Sequence, residues 1–306
     1  MSIRRLSFAT CAGIAAISMS AAQADVTPIQ DSKVEGDGAI NIVLIPGFGC
    51  DLTVWDDFLE RNSDRYTMHA VTLPGIAGTP APDASDTEGT PMLDNAIGAL
   101  VGYIDGAGLD SPIIIGHSLG GTLAMRLAIE HPDKVGKVIA VDGMPAMPLG
   151  QEMDVETRRM AVNQEIAPQL RNLNDEQWSM QLAQMFSPMF HDQERAGEVV
   201  EMAQKTDRKV AVEYLLDLLK TDIRPQLNQH RAPLLAIAAV DSDQPGAAPE
   251  MFRQMWSDML QGTPSSTIVL FDRTSHFVMD QRPEELDKAV AAFADGQPVR
   301  DFTPGE

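Results

Sequence analysis

The chain has 306 residues, 44% hydrophobic and 22% charged, enough for one large domain or two modest ones around a sizeable buried core. Acidic residues outnumber basic ones, 44 Asp+Glu against 23 Lys+Arg, for a formal net charge of −21. With no basic surplus to neutralise phosphates, neither a nucleic acid nor an anionic membrane surface is expected as a partner. The composition also excludes a disordered chain, a coiled coil and a disulfide scaffold.

Arg4 and Arg5, the mostly apolar or small residues 6–19 and the small-residue site Ala22-Gln23-Ala24 read as a secretory signal peptide, 1–24, cut after Ala24. The apolar run is short for a membrane span and is broken by Ser7, Thr10 and Ser18, so cleavage is expected, with no stable membrane insertion afterwards. On this reading the protein is periplasmic or secreted and begins at Asp25. It then keeps a single cysteine, Cys50, which cannot form an intramolecular disulfide, so the core alone must hold the fold.

Ile40–Ile45 is a short apolar run ended by Pro46-Gly47, the pattern of a buried strand. Residues 53–60 read as a helix, 66–73 as a second strand closed by Pro74-Gly75, and 76–89 as a loop rich in Gly, Pro and Asp. Pro91 opens a helix running to about Asp105. A third strand follows at 113–115. The helix after it, 119–130, carries Leu119, Leu123, Ala124, Leu127 and Ala128 on one face. A fourth strand spans 138–141. From Met144 to about Leu227 the chain reads as helical, rich in Met, Gln and charge. Strands then return at 234–239 and 267–271, with helices over 249–260 and from about Pro283. Alternating strands and helices on both sides of one helical insertion predict an α/β fold. A mostly parallel central sheet carries helices on both faces and a helical cap. The boundaries are a core of 25–143 and 231–294, a cap of 144–230 and a loose tail of 295–306.

Gly116-His117-Ser118-Leu119-Gly120 lies between a buried strand and a helix, the setting that a G-x-S-x-G elbow needs. The sharp turn strains the serine backbone and exposes its hydroxyl at the carboxyl edge of the sheet, while glycines on both flanks let strand and helix approach. A serine hydroxyl is a weak nucleophile and needs a base, which in turn needs an orienting acid. His117 is adjacent to the serine, but neighbours around so tight a turn point apart, which makes it a packing residue. His276 follows a strand, sits in a loop and precedes a helix.

These residues, with Pro46-Gly47-Phe48-Gly49, Leu73-Pro74-Gly75 and Ser275-His276-Phe277, resemble the α/β-hydrolase family, specifically its single-domain members with a helical cap. The resemblance covers nearly everything from Ile40 to Ala294. The chain departs from the usual His-Gly of the first loop, carrying Pro46-Gly47. The serine separates it from the epoxide hydrolases and haloalkane dehalogenases, which use an aspartate at that place. The resemblance implies a Ser-His-Asp triad with Ser118 as nucleophile and His276 as base. It puts the acid after the strand at 234–239, which selects Asp241, with Asp243 as an alternative. Asp142, after an earlier strand, is the position that a minority of the family uses. The oxyanion hole it implies is the N–H groups of Leu119 and Phe48.

Eight of the 17 methionines fall within 144–230. Methionine is flexible and polarizable, so Met144, Met185 and Met189, with Phe186, are expected to line an adaptable apolar pocket. No metal or cofactor motif is present: there is no His-Glu-x-x-His, no Cys-x-x-Cys and no dinucleotide fingerprint. The expected activity is hydrolysis of a small apolar carboxylic ester. A proline iminopeptidase-like aminopeptidase, a carbon–carbon bond hydrolase and a non-catalytic binding protein stand as alternatives. For the carbon–carbon hydrolase, Arg158, Arg159, Arg208 and Arg224 are the cations available to hold an acidic substrate.

Overall fold

A computed structural model of the protein describes residues 26–82, 91–149, 153–243 and 248–303. The leader read at 1–24 lies outside the described residues. Seven strands make one sheet: β1 (Asp31–Glu35), β2 (Ile40–Ile45), β3 (Tyr66–Thr72), β4 (Ile113–His117), β5 (Lys137–Val141), β6 (Leu234–Val240) and β7 (Ser266–Asp272). Their spatial order is β1-β3-β2-β4-β5-β6-β7. β1 runs antiparallel to β3, and every other neighbouring pair is parallel.

β4 and β6 are buried along their whole length, as continuous apolar runs covered on both faces must be. Each fully buried Ile or Val in them contributes about 1.5–3 kcal/mol relative to exposure. β1 escaped the reading of the sequence for a physical reason. Its residues, Asp-Ser-Lys-Val-Glu, are almost all exposed on the sheet edge, so neither alternation nor an apolar run marks it.

α1 (Asp56–Asn62) follows a single 3₁₀ turn at Leu52–Trp55, so the helix expected from residue 53 starts later. The Asp51 side chain caps that turn by accepting from the Thr53 amide at 2.9 Å. α2 (Met92–Gly106) precedes β4, and α3 (Leu119–Glu130) joins β4 to β5. Between β5 and β6 come α4 (Val155–Ala161), α5 (Ala167–Arg171), α6 (Asp175–Phe186), α7 (Gln193–Ala203) and α8 (Arg208–Lys220). This insertion is fastened to the sheet side of the molecule by polar bonds. The Tyr214 hydroxyl donates to the Pro74 carbonyl at 2.8 Å, and the Ala77 amide donates to Thr206 Oγ1 at 2.8 Å. Within it, Arg171 holds buried Glu213 with two hydrogen bonds, at 2.7 and 2.9 Å.

α9 (Pro249–Met259), α10 (Val278–Gln281) and α11 (Pro283–Ala294) complete the fold. Among the described residues no helix is long and apolar enough to cross a membrane. The end of the chain corrects an expectation. Residues 295–303 do not trail loosely, because Phe302 pairs with Phe271 as a short parallel bridge on the outer side of β7. Its amide donates to the Leu270 carbonyl at 2.9 Å, and its carbonyl accepts from Asp272 at 3.0 Å. Asp301 adds a bond from the Leu270 amide and an ion pair with Arg253. Sparse Gly, Pro and charge gave this stretch no period, yet an unpaired strand edge offers backbone partners to any sequence.

Candidate active site

The register of the parallel strands decides which side chains meet. Ile45 lies opposite Gly116, His117 opposite Val141, and Val141 opposite Ile237, so the chain leaves β2, β4, β5 and β6 at one edge of the sheet. Ser118 is the first residue beyond β4. Its backbone is left-handed, φ 53° and ψ −119°, a conformation that costs a non-glycine residue about 1–3 kcal/mol. The surroundings hold it there. The Ser118 amide donates to the Val141 carbonyl at 2.9 Å, and the Ser118 carbonyl accepts from Gly121 at 2.9 Å. The flanking glycines are steric necessities: a Cβ on Gly116 would lie 2.1 Å from the Gly120 carbonyl oxygen, and one on Gly120 would lie 2.4 Å from that of Ile45.

His276 sits in the loop between β7 and α10. Its Nδ1 is 2.7 Å from Asp142 Oδ2. This corrects the choice of Asp241 as the partner carboxylate. β6 continues to Val240, and Asp241, emerging just beyond it, bonds to His191 Nε2 of the insertion at 3.2 Å. Asp243 pairs with Arg273 at 3.4 Å. Asp142, the minority position, reaches His276 because its own backbone is left-handed, φ 48°, at the end of β5. Its amide donates to the Ile237 carbonyl at 2.8 Å, while its second oxygen, Oδ1, accepts from the Ala239 amide at 3.0 Å. The carboxylate is thus clamped across the end of β6. Asp tolerates left-handed backbone better than most residues, and Asp142-Gly143 at a strand end was the available signal.

His117 is buried and supports the imidazole from behind. Its Nε2–H donates to the His276 carbonyl at 3.0 Å, and the two rings are 4.6 Å apart. Burial pushes the pKa of His117 well below the ordinary 6.5, and the adjacent His276 lowers it further, so the ring stays neutral. Burial lowers His69 and His230 as well. The sign of the consequence is fixed. Below pH 6.5 the unfolded chain takes up protons that the folded one refuses, so stability is lost as the pH falls. Between pH 7.0 and 5.5 His117 therefore costs the fold stability, and His69 and His230 act in the same direction. The raised carboxyls of Asp217 and Asp280 act in the opposite direction as they protonate. Urea midpoints at the two pH values measure it, and an unchanged midpoint contradicts it.

The loop after β2 passes directly beside the serine. A Cβ on Gly47 would come within 3.2 Å of Ser118 Cβ and 2.9 Å of His117 Nδ1, so only glycine lets the Phe48 backbone run there. Leu119 is the first residue of α3, and its N–H has no partner within the helix. The insertion closes over this edge. Ser275 donates its hydroxyl to the Met189 carbonyl at 2.5 Å, and Phe190 stacks on Phe277 at 4.1 Å between centroids. A cavity of about 540 Å³ lies between. Ser118, His276, Asp142 and Phe48 line it from the sheet side, and Met144, Met185, Phe186 and Met189 line it from the insertion. Ile166, Leu170, Leu215 and Leu218 extend its apolar wall beyond the residues singled out in the sequence. Among the described residues no group of three or more His, Cys, Asp or Glu side chains is arranged to hold a metal ion. Cys50 is buried, and burial pushes its thiol pKa far up, which leaves it unreactive.

The model of the alpha/beta hydrolase family matches residues 42–289, from β2 into α11. The chain belongs to the alpha/beta hydrolase family. Among relatives of this hydrolase, a pimeloyl-[acyl-carrier protein] methyl ester esterase of Aeromonas hydrophila is 24% identical over 83% of this chain and 94% of its own. A 2-hydroxy-6-oxononadienedioate/2-hydroxy-6-oxononatrienedioate hydrolase of Dechloromonas aromatica is 26% identical over 84% of this chain and 88% of its own. The dihydrolipoyllysine-residue acetyltransferase component of the acetoin cleaving system of Cupriavidus necator is 35% identical, but over only 35% of this chain and 27% of its own length. Among solved structures, MenH from S. aureus superposes with a TM-score of 0.70 at 19% identity, covering 88% of this chain and 99% of that one. That likeness is one of fold.

Proposed function

We propose that this hydrolase cleaves carboxylic esters of neutral, apolar chains through an acyl-enzyme on Ser118. The observation that carries the reading is the 2.7 Å contact of His276 Nδ1 with Asp142, on the wall of the same cavity that Ser118 lines. With the Nδ1 proton held by Asp142, Nε2 is the basic nitrogen left for the serine hydroxyl. Ser118 Oγ attacks the ester carbonyl as His276 takes its proton. The N–H groups of Leu119 and Phe48 receive the negative charge that develops on the carbonyl oxygen. The carbon–oxygen bond to the alcohol then breaks, His276 protonates the departing oxygen, and the acyl group stays on Ser118. Water, losing a proton to the same imidazole, releases the carboxylic acid and restores the serine.

The cavity lining supports a neutral substrate. Among the described lining residues there is no Lys or Arg, and the one carboxylate is Asp142. The four arginines that a carbon–carbon hydrolase would use are elsewhere. Arg158 is buried and donates to the Leu219 carbonyl, Arg208 pairs with Asp175, Arg224 pairs with Asp222, and Arg159 lines a different groove. Among the described residues no acid of the insertion lines the cavity to hold the amine that an aminopeptidase substrate carries. The esterase relative points the same way. The leader read at 1–24 supports export, so periplasmic or secreted action is part of the proposal. A fluorophosphonate probe and a panel of p-nitrophenyl esters test the reading. Labelling and ester turnover are expected in the native protein, with labelling absent and turnover reduced about 10⁴-fold or more in Ser118→Ala. Activity confined to aminoacyl-anilides, or a folded protein that takes no label, overturns it.

A further inference from the structure

Among the described residues the insertion contributes one hydrogen-bonding side chain to the cavity, Gln181. It lies on α6, whose start is fixed by a reciprocal cap: the Gln177 amide donates to Asn174 Oδ1 at 2.9 Å, and the Asn174 amide donates to Gln177 Oε1 at 2.9 Å. Trp178, Leu182 and Phe186 form the buried stripe of this helix. Gln181 and Met185, one turn apart and flanking that stripe, both line the cavity. The other hydrogen-bonding side chains of the lining are His117, Ser118, Asp142 and His276, all on the sheet side. Gln181 is half-buried, and its amide has no hydrogen-bond partner among the described residues.

Resting on the ester-hydrolase reading, we propose that Gln181 is a specificity-determining residue. It selects esters whose arm under the insertion carries a neutral oxygen, a ketone or a hydroxyl, over esters with an all-carbon arm. An all-carbon arm packed against Gln181 strips water from the amide and returns nothing. An oxygen at the facing position restores the bond, as acceptor from Nε2 or as donor to Oε1. A site that hydrogen-bonds its substrate discriminates against the analogue lacking the group far better than an apolar wall discriminates by size. A charged group is not selected, since among the described lining residues there is no Lys or Arg and the one carboxylate, Asp142, is engaged by His276.

The test compares p-nitrophenyl octanoate with its keto congeners, the ketone moved along the chain. Octyl acetate and its keto congeners test the alcohol arm. Both series are run with the native protein, Gln181→Leu and Gln181→Asn. The native protein is expected to favour one ketone position by about tenfold or more in kcat/KM. Gln181→Leu should flatten the preference to within about twofold, chiefly by raising turnover of the all-carbon ester. Gln181→Asn, with a shorter reach, should weaken the preference without flattening it. Absence of a preference in both series, or one that survives in Gln181→Leu, overturns the proposal while leaving the esterase intact. A native protein that hydrolyses no ester and takes no fluorophosphonate sinks both readings.

Discussion

Asp142→Asn is expected to lower kcat/KM for a p-nitrophenyl ester by about 10⁴-fold, whereas Asp241→Asn changes it by no more than about threefold. Asp142 contacts the imidazole at 2.7 Å, and its second oxygen is already engaged by the Ala239 amide. An asparagine placed there keeps the shape but offers either a neutral oxygen or an N–H to Nδ1. It neither stabilises the imidazolium that forms during attack nor holds the ring in the tautomer that leaves Nε2 basic. Asp241 faces His191, a half-exposed partner, and its loss removes a link between the insertion and the end of β6. Steady-state kinetics on both variants, with circular dichroism to establish that each is folded, decide the matter. A crippled Asp241→Asn beside an active Asp142→Asn would reverse the assignment.

The second large effect is on the fold. Gly116→Ala is expected to destabilise by about 3 kcal/mol or to prevent soluble expression. The added carbon would meet the Gly120 carbonyl oxygen at 2.1 Å and its carbon at 2.2 Å, and neither backbone atom can swing away as a side chain would. Relief requires α3 to back off β4, which opens the packing of the most buried part of the sheet. Gly102→Ala is the control. Gly102 lies on the exposed face of α2 with nothing within 4 Å of the added carbon, so it should gain about 0.5–1 kcal/mol from helix propensity. Urea titrations of the two variants test the contrast, and equal midpoints would show that the elbow is not sterically tight.

How much of this was legible in the sequence follows from how local each determinant is. Ser118 was readable because a strand, a strained turn and a helix are consecutive in the chain, and the glycines that permit the turn lie within two residues of it. His276 was readable for a related reason, lying in a loop just past a strand. The acid was not, because the choice among Asp142, Asp241 and Asp243 depends on where β5 and β6 end relative to one another and on the left-handed backbone at Asp142. Both are properties of neighbouring strands that no single stretch of sequence encodes. β1 was hidden because a solvated edge strand has no burial pattern to read. The closing residues were misread because Phe302 is ordered by main-chain partners on β7 rather than by its own periodicity. The methionines and phenylalanine expected in the cavity do line it, but the sequence could not distinguish Gln181 from the many surface glutamines of the insertion.

The bond from the Ser118 amide to the Val141 carbonyl, one residue before Asp142, has a kinematic consequence. Ser118 and Asp142 are thus tied across adjacent strands, so a shift of either strand end carries both and keeps their spacing. His276 comes from a third segment that is bonded to these strand ends at two points: His117 Nε2 donates to its carbonyl, and Asp142 contacts its ring. The hydroxyl of the preceding residue, Ser275, also grips the main chain at Met189, which joins the same loop to the insertion. A displacement of the insertion would therefore be transmitted to the loop of His276 through this bond.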